Sequence, residues 1–351
     1  MDIKKSSFGH LPNGSEVFQY VLTNDAGMQV DIITYGAIIR AIHVPDRHGI
    51  VADVVLGYDN LQQYYDDRNY IGAVIGRYAN RIAAARFELD GSRYALNKND
   101  GDNHLHGGVS GFHKVLWSAA EDVQAQQVSL TLQYRSPDGE QGYPGNLDVR
   151  VRYELSQDNE LTVQYQASTD QATPVNLTQH SYFNLAGSPT ILAHRLMICA
   201  DAYTPVDRQL LPAAAHSPVA QTPFDFRSAR AIGAQIGERD AQLQFGQGYD
   251  HNFVLNKSGP QQPELAARVC DPDSGRQLDI CTTEPGLQFY SGNFLNGTLT
   301  GKNRVFSHRF GFCLEPQHFP DSPNRSDFPN SVLRPAELYS TSTVYRFSVQ
   351  K

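Results

Sequence analysis

The sequence predicts an all-β fold, a sandwich or a barrel built from many short strands. Three observations carry this. Runs such as Val128–Tyr134, Leu147–Tyr153 and Leu161–Tyr165 alternate apolar and polar residues, and a period of two sets one strand face on a core and the other towards water. Helical periodicity is weak and confined to short windows. Turn formers, 28 Gly and 19 Pro, are spread evenly along the 351 residues, as expected where strands follow one another through tight connections.

Taken in chain order, Asn13-Gly14 marks an N-terminal turn. Asp59–Asp67 (DNLQQYYDD) is the best helical window. Phe87–Tyr94 reads as two strands joined at Asp90-Gly91, a favoured pair for a two-residue turn. Ser136–Gly145 (SPDGEQGYPG) connects the first two alternating runs, and Asp158-Asn159 reads as the hairpin turn between the second and third. Thr204–Phe226 is rich in Pro and Ala. It could be a linker, but it is short and keeps aromatic residues, so an ordered connection within one large sandwich is the better reading. Ala229–Ile236 is a second helical window. With no fixed-period repeat and no low-complexity linker, residues 1–351 read as a single domain.

Composition narrows the function. Hydrophobic residues make up 40% and charged residues 19%, enough for a substantial core. A net charge of −8 and a pI near 5.8, with no Lys/Arg block, argue against binding nucleic acid or an anionic membrane. No apolar run reaches the roughly 20 residues a membrane helix needs. Lys4 and Lys5 have no apolar segment behind them, so no secretory signal is expected. The four cysteines, Cys199, Cys270, Cys281 and Cys313, form no CxxC pair. They read as reduced thiols of a cytoplasmic protein.

Four groups of residues break the alternation and collect chemically useful side chains. They are Gly76–Ile82 with Asn80 and Arg81; Asn103–Gly108 with His104 and His106; Asn176–Asn184 with His180; and a late group of Gly248–Asn252, Gln288–Tyr290 and Phe312–Gln317. If Asn103–Gly108 is a strand, His104 and His106 share a face. They could then hold a metal, or supply a general acid with a neighbour, or simply sit in a polar turn. His180 alone reads as a structural histidine as readily as a catalyst. Asp250-His251-Asn252 could be an Asx turn. Glu315 is more telling, because a carboxylate after the apolar Phe310–Leu314 is costly to bury unless it is paired or used. Burial would raise its pKa towards that of a useful base; a salt bridge to Arg81 is the plainer alternative. Gly297–Asn303 imitates a phosphate loop but has one residue too few between its glycines and Asn in place of Ser/Thr. There is no GxSxG elbow and no zinc-finger spacing.

Together these segments resemble the aldose 1-epimerase (galactose mutarotase) family. The resemblance rests on Asn80-Arg81, on Asn103-His-Leu-His106-Gly-Gly, on Thr173–Gly187 (TPVNLTQHSYFNLAG), on Gly248-Tyr-Asp250-His-Asn and on Leu314-Glu315-x-Gln317, in that order. It spans nearly the whole chain, from Asn13-Gly14 to Leu333-Arg-Pro335. It implies a large antiparallel β-sandwich with a sugar bound in a cleft across one sheet. By the matching motifs, Glu315 would be the general base, His180 the general acid and His106 a second histidine at the ring oxygen. Asn80, Arg81, Asp250 and Gln288 would hold sugar hydroxyls. Two positions depart from the family pattern. Pro316 stands where Ser or Thr is common and Tyr249 where Phe is common. Neither replaces a catalytic group, so they bear on subsite detail.

The implied reaction exchanges the anomers of a free aldohexose through ring opening, rotation about C1–C2 and reclosure. A carboxylate and an imidazole can make both proton transfers, and ordinary pKa values of about 4.3 and about 6.5 make Glu315 the natural base and His180 the natural acid. No cofactor and no metal are called for, and the protein is expected to be a monomer or homodimer. The rivals are a glycosidase using Asp250 and Glu315, a sugar-binding module without catalysis, a sugar-phosphate mutarotase with extra arginines, and a metal enzyme built on His104 and His106.

Overall fold

Alternation builds the largest sheet. Along Leu147–Ser156 the side chains of Leu147, Val149, Val151, Tyr153 and Leu155 are buried while the positions between them are exposed or half-buried. Glu160–Thr169 repeats the pattern with Leu161, Val163, Tyr165 and Ala167 inside. The computed structural model describes residues 1–213, 216–259 and 261–350. Among these, the sheet has nine antiparallel strands, which run in space from Ser118–Val123 through Gln127–Ser136, Leu147–Ser156, Glu160–Thr169, Tyr339–Val349, Arg276–Thr282, Glu264–Cys270 and Arg195–Ile198 to Arg230–Ala231. A five-stranded antiparallel sheet covers Asp2–Asp53, and a six-stranded one orders Tyr182–Phe183, Phe312–Gln317, Gly286–Tyr290, Asp250–Leu255, Ala200–Tyr203 and Ser217–Pro218. The all-β antiparallel sandwich is therefore as expected. Leu22 and Ile32 from the first fifty residues, Leu130 and Val151 from the nine-stranded sheet, and Phe253, Phe289 and Leu314 from the six-stranded one join in one apolar cluster. Each such side chain contributes about 1.5–3 kcal/mol by leaving water.

The turns follow their residue types. Asp90 and Gly91 both have positive φ, 51° and 77°, and join Arg86–Leu89 to Ser92–Ala95, as a two-residue turn matched to strand twist requires. The first helical window is a helix over Leu61–Asp66, and the Asn60 side chain caps it by accepting from Gln63 N. The second window is a correction. Ala229–Ile236 holds a two-residue strand at Arg230–Ala231 and a single 3₁₀ turn at Ile232–Ala234, because Arg230–Ala231 pairs with Arg195–Leu196 and closes the sheet edge. The helix comes later, at Ala241–Gly246, where Asp240 accepts from the Gln242 and Leu243 amides. The connection Thr204–Phe226 carries the edge strand Ser217–Pro218; its Ala214 and Ala215 lie outside the described residues.

The six-stranded sheet sets up the site. Phe312, Leu314, Leu287, Phe289 and Phe253 face the apolar cluster. By the two-residue period, Cys313, Glu315 and Gln317, with Gln288, Tyr290, Asp250 and Asn252, lie on the opposite face. Register lines them up: Gln288 is opposite both Glu315 and Asn252, and Tyr290 is opposite both Cys313 and Asp250. A polar floor thus backs directly onto the core. Among the described residues no helix is long and apolar enough to cross a membrane.

Candidate active site

Arg81–Ile82 pairs with His104–Leu105 beside the polar floor. Asn80 and His106 both take positive φ, 64° and 52°, and clasp each other. His106 N donates to Asn80 O at 3.1 Å, and Asn80 N donates to His106 Nδ1 at 3.1 Å. Nδ1 is therefore an acceptor, and the neutral ring carries its proton on Nε2. Below the clasp, Tyr78, Ile82, Phe87 and Tyr143 form an apolar cluster that anchors this wall.

The shared face expected for His104 and His106 is a correction. The left-handed turn at His106 ends the strand after Leu105, so the two rings part. His104 bonds Asn97 O at 2.7 Å and Tyr143 Oη at 2.8 Å, a structural role away from the cavity. The metal reading built on this pair falls with it. Ligand atoms of His106, His180 and Glu315 do lie within 4.8 Å of one another, a spacing that could hold an ion. The Nε2–H tautomer of His106 opposes this, since a ligating nitrogen must offer a lone pair.

His180 is fixed through its backbone: its N–H donates to Ala73 O and its carbonyl accepts from Gly72 N, both at 2.9 Å. Its Nε2 stands 3.7 Å from Glu315 Oε2, and its Nδ1 stands 3.6 Å from Cys313 Sγ. Tyr70 packs edge-on against His106 at 4.7 Å between centroids and tilted against His180 at 5.8 Å. Gln288 Nε2 donates to Asp250 Oδ1 at 2.7 Å; Asp250 begins a strand and is no Asx turn. Arg81 pairs with Asp100, Nε to Oδ2 at 2.8 Å, rather than with Glu315.

Asn80, Arg81, His106, His180, Asp250, Gln288 and Glu315 all line one cavity of about 210 Å³. That is below the roughly 300–1,000 Å³ of sites for drug-sized ligands, and it suits something the size of one sugar ring. Sequence reasoning missed Arg68, Asn69, Tyr70, Asp100 and Phe294 on its walls. These sit in irregular segments without periodicity. Tyr182 and Tyr290 also line it; both stood inside recognised motifs, next to residues already singled out. Tyr249 is buried against Phe289, and neither it nor Pro316 reaches the cavity.

Burial dominates the electrostatics. It pushes Glu315 well above the usual carboxylate value, helped by the charge of Asp250 and opposed by Arg81. Asp250 is raised by burial too. His180 is pushed down to about 4 by burial. Burial holds His106 well below the usual histidine value, with His180 and Arg81 adding to the effect. Carboxyl and imidazole are thus driven in opposite directions, a pattern typical of acid–base sites.

Residues 19–346 match the family model described as aldose 1-epimerase. The chain is 48% identical over 351 residues to a galactose mutarotase of Homo sapiens, covering 99% of each chain. It is 41% identical over 339 residues to an aldose 1-epimerase of Escherichia coli K12, covering 96% of each. The crystal structure of a galactose 1-epimerase from Lactobacillus acidophilus superposes with a TM-score of 0.89 at 31% identity, over 100% of this chain and 99% of that one. Fold, cavity and relatives together define an enzyme, an isomerase. The chain belongs to the aldose 1-epimerase family.

Proposed function

We propose that this chain interconverts the α and β anomers of free aldohexoses such as galactose and glucose, with Glu315 and His180 moving the two protons. The observation that carries the proposal is the pair itself, Nε2 and Oε2 3.7 Å apart inside the cavity. Ring opening takes a proton from the C1 hydroxyl and gives one to the ring oxygen; reclosure after rotation about C1–C2 reverses both. When Glu315 accepts and His180 donates, the pair passes from carboxylate–imidazolium to carboxyl–imidazole. It holds one proton throughout. Burial favours the second form, the one with the proton on Glu315. Ordinary pKa values suggest the opposite, and burial of both groups explains the reversal. Sugar binding and the developing charge bring the ionic form into use. His106, with its proton on Nε2, donates a hydrogen bond to the ring oxygen. Asn80, Arg81, Asp250 and Gln288 hold hydroxyls.

Asp100 at Arg81 also favours a neutral substrate. Arg68 and Arg81 face Asp100 and Asp250 around the cavity, so a phosphate gains no surplus of positive charge. The reaction as proposed needs no cofactor, metal, nucleic acid or membrane. The proposal also places the protein in the cytoplasm as a monomer or homodimer, and the unpaired state of its four cysteines supports a reducing compartment. Polarimetry of freshly dissolved α-D-galactose and α-D-glucose tests the activity. Faster approach to equilibrium rotation is expected, with little acceleration of the 6-phosphates. Folded protein that leaves both free sugars at the spontaneous rate contradicts the proposal.

A further inference from the structure

The cavity floor continues behind the catalytic pair. Among the described residues, buried side-chain atoms without a hydrogen-bond partner include Glu315 Oε2, Gln288 Oε1, Asn252 Oδ1 and both amide atoms of Gln317. All four side chains are at least nine-tenths buried, and Gln317 is wholly so. They share one face of three adjacent strands, since Gln288 is opposite Glu315 and Asn252, and Gly286 is opposite Gln317. Glu315 and Gln288 line the sugar cavity; Gln317 and Asn252 do not. Gly286 makes the floor continuous. A Cβ there would lie 2.4 Å from Asn252 Oδ1 and 2.9 Å from the Phe319 ring, so the glycine leaves the space into which the Asn252 amide leans, beside Gln317. Asn252 Nδ2 is already used, donating to Thr204 Oγ1 at 3.0 Å.

A primary amide offers two donors and an acceptor oxygen, and buried polar groups almost always find partners. A buried water typically makes about three such bonds to otherwise unsatisfied groups. We infer that Gln317 and Asn252 hold an ordered water beside Glu315 and act as positioning residues that keep its carboxylate solvated within the cavity floor. This rests on Glu315 being the base. The water lets the buried Glu315–His180 pair still visit its ionic form, because it supplies the solvation that burial removes. Without it the carboxylate is harder to form. The ionic fraction falls, and Glu315 gives up its proton only at higher pH.

The test compares wild type with Gln317→Met, which keeps the length and loses the amide, and Gln317→Asn, which keeps the amide. The readouts are thermal melting, a high-resolution crystal structure and the pH profile of kcat/KM by polarimetry. Expected in wild type is a water within hydrogen-bond distance of Gln317, Asn252 and Glu315. In Gln317→Met it is gone, the plateau of kcat/KM falls about tenfold and the alkaline limb moves up by about one pH unit, since one unit is a factor of ten in the ionic fraction. Gln317→Asn recovers most of both. A crystal structure without that water overturns the inference. So does a folded Gln317→Met whose rate is unchanged, or whose rate falls at every pH with the limb in place. Failure of the base assignment shows separately, as a Glu315→Gln variant that keeps its rate.

Discussion

A buried carboxyl and imidazole 3.7 Å apart are close enough to titrate as one unit. Under the proposed mechanism, activity exists while the pair holds one proton. At low pH both groups are protonated and no base remains; the limb follows His180, pushed down to about 4. At high pH Glu315, raised well above its usual value, finally ionises beside a neutral His180 and no acid remains. The pH profile of kcat/KM, which reports the free enzyme, is therefore expected to be a broad bell. Its acid limb lies near 4 and its alkaline limb well above the ordinary carboxylate value of about 4.3. Were the proton on His180 instead, the acid limb would follow Glu315 and the alkaline limb His180, at ordinary values of about 4.3 and about 6.5, and the bell would be narrow. Glu315 was legible in the sequence because a charged residue interrupts an apolar strand. Asp100 was not. It lies in an irregular loop, and only folding shows that it, and not Glu315, takes Arg81.

At the scale of elements, strands were more legible than helices because burial, not propensity, dictates them. Leu155 shows the strength of that signal. It is fully buried, and its cross-strand partners Val128 and Leu161 are as well. Leu155→Ala is expected to cost about 2–5 kcal/mol, read as a lower denaturation midpoint at unchanged slope; a loss under about 1 kcal/mol would mean that this layer is loosely packed. The helical window at 229–236 misled because its short apolar spacing fits a sheet edge equally well, and pairing with Arg195–Leu196 decided between them. The same limit explains His104 and His106. A two-residue period assumes continuing strand, and the positive φ at His106 sends one ring to Tyr143 and the other to the cavity. No residue type announces that turn, although the glycines after it point to a sharp bend.

Across the whole molecule, the sheets meet in one apolar cluster that includes the single tryptophan, Trp117. That continuity supports the proposal of one domain for residues 1–351. Unfolding followed by Trp117 fluorescence and by far-ultraviolet circular dichroism is then expected to coincide, whereas two separated transitions would argue for independent units. The same core holds the floor on which Gln288 and Glu315 stand, and the segments carrying Asn80, His106 and His180 line the same cavity. Catalysis is thus a property of the assembled sandwich. The most direct test of its central claim is polarimetry of α-D-galactose with wild type, Glu315→Gln, His180→Asn and the double variant. Each single variant is expected to lose about 10²–10⁴-fold in kcat, and the double variant little more than the worse single one, as for groups that act as a unit. A folded variant of either residue that keeps wild-type rate would contradict the account.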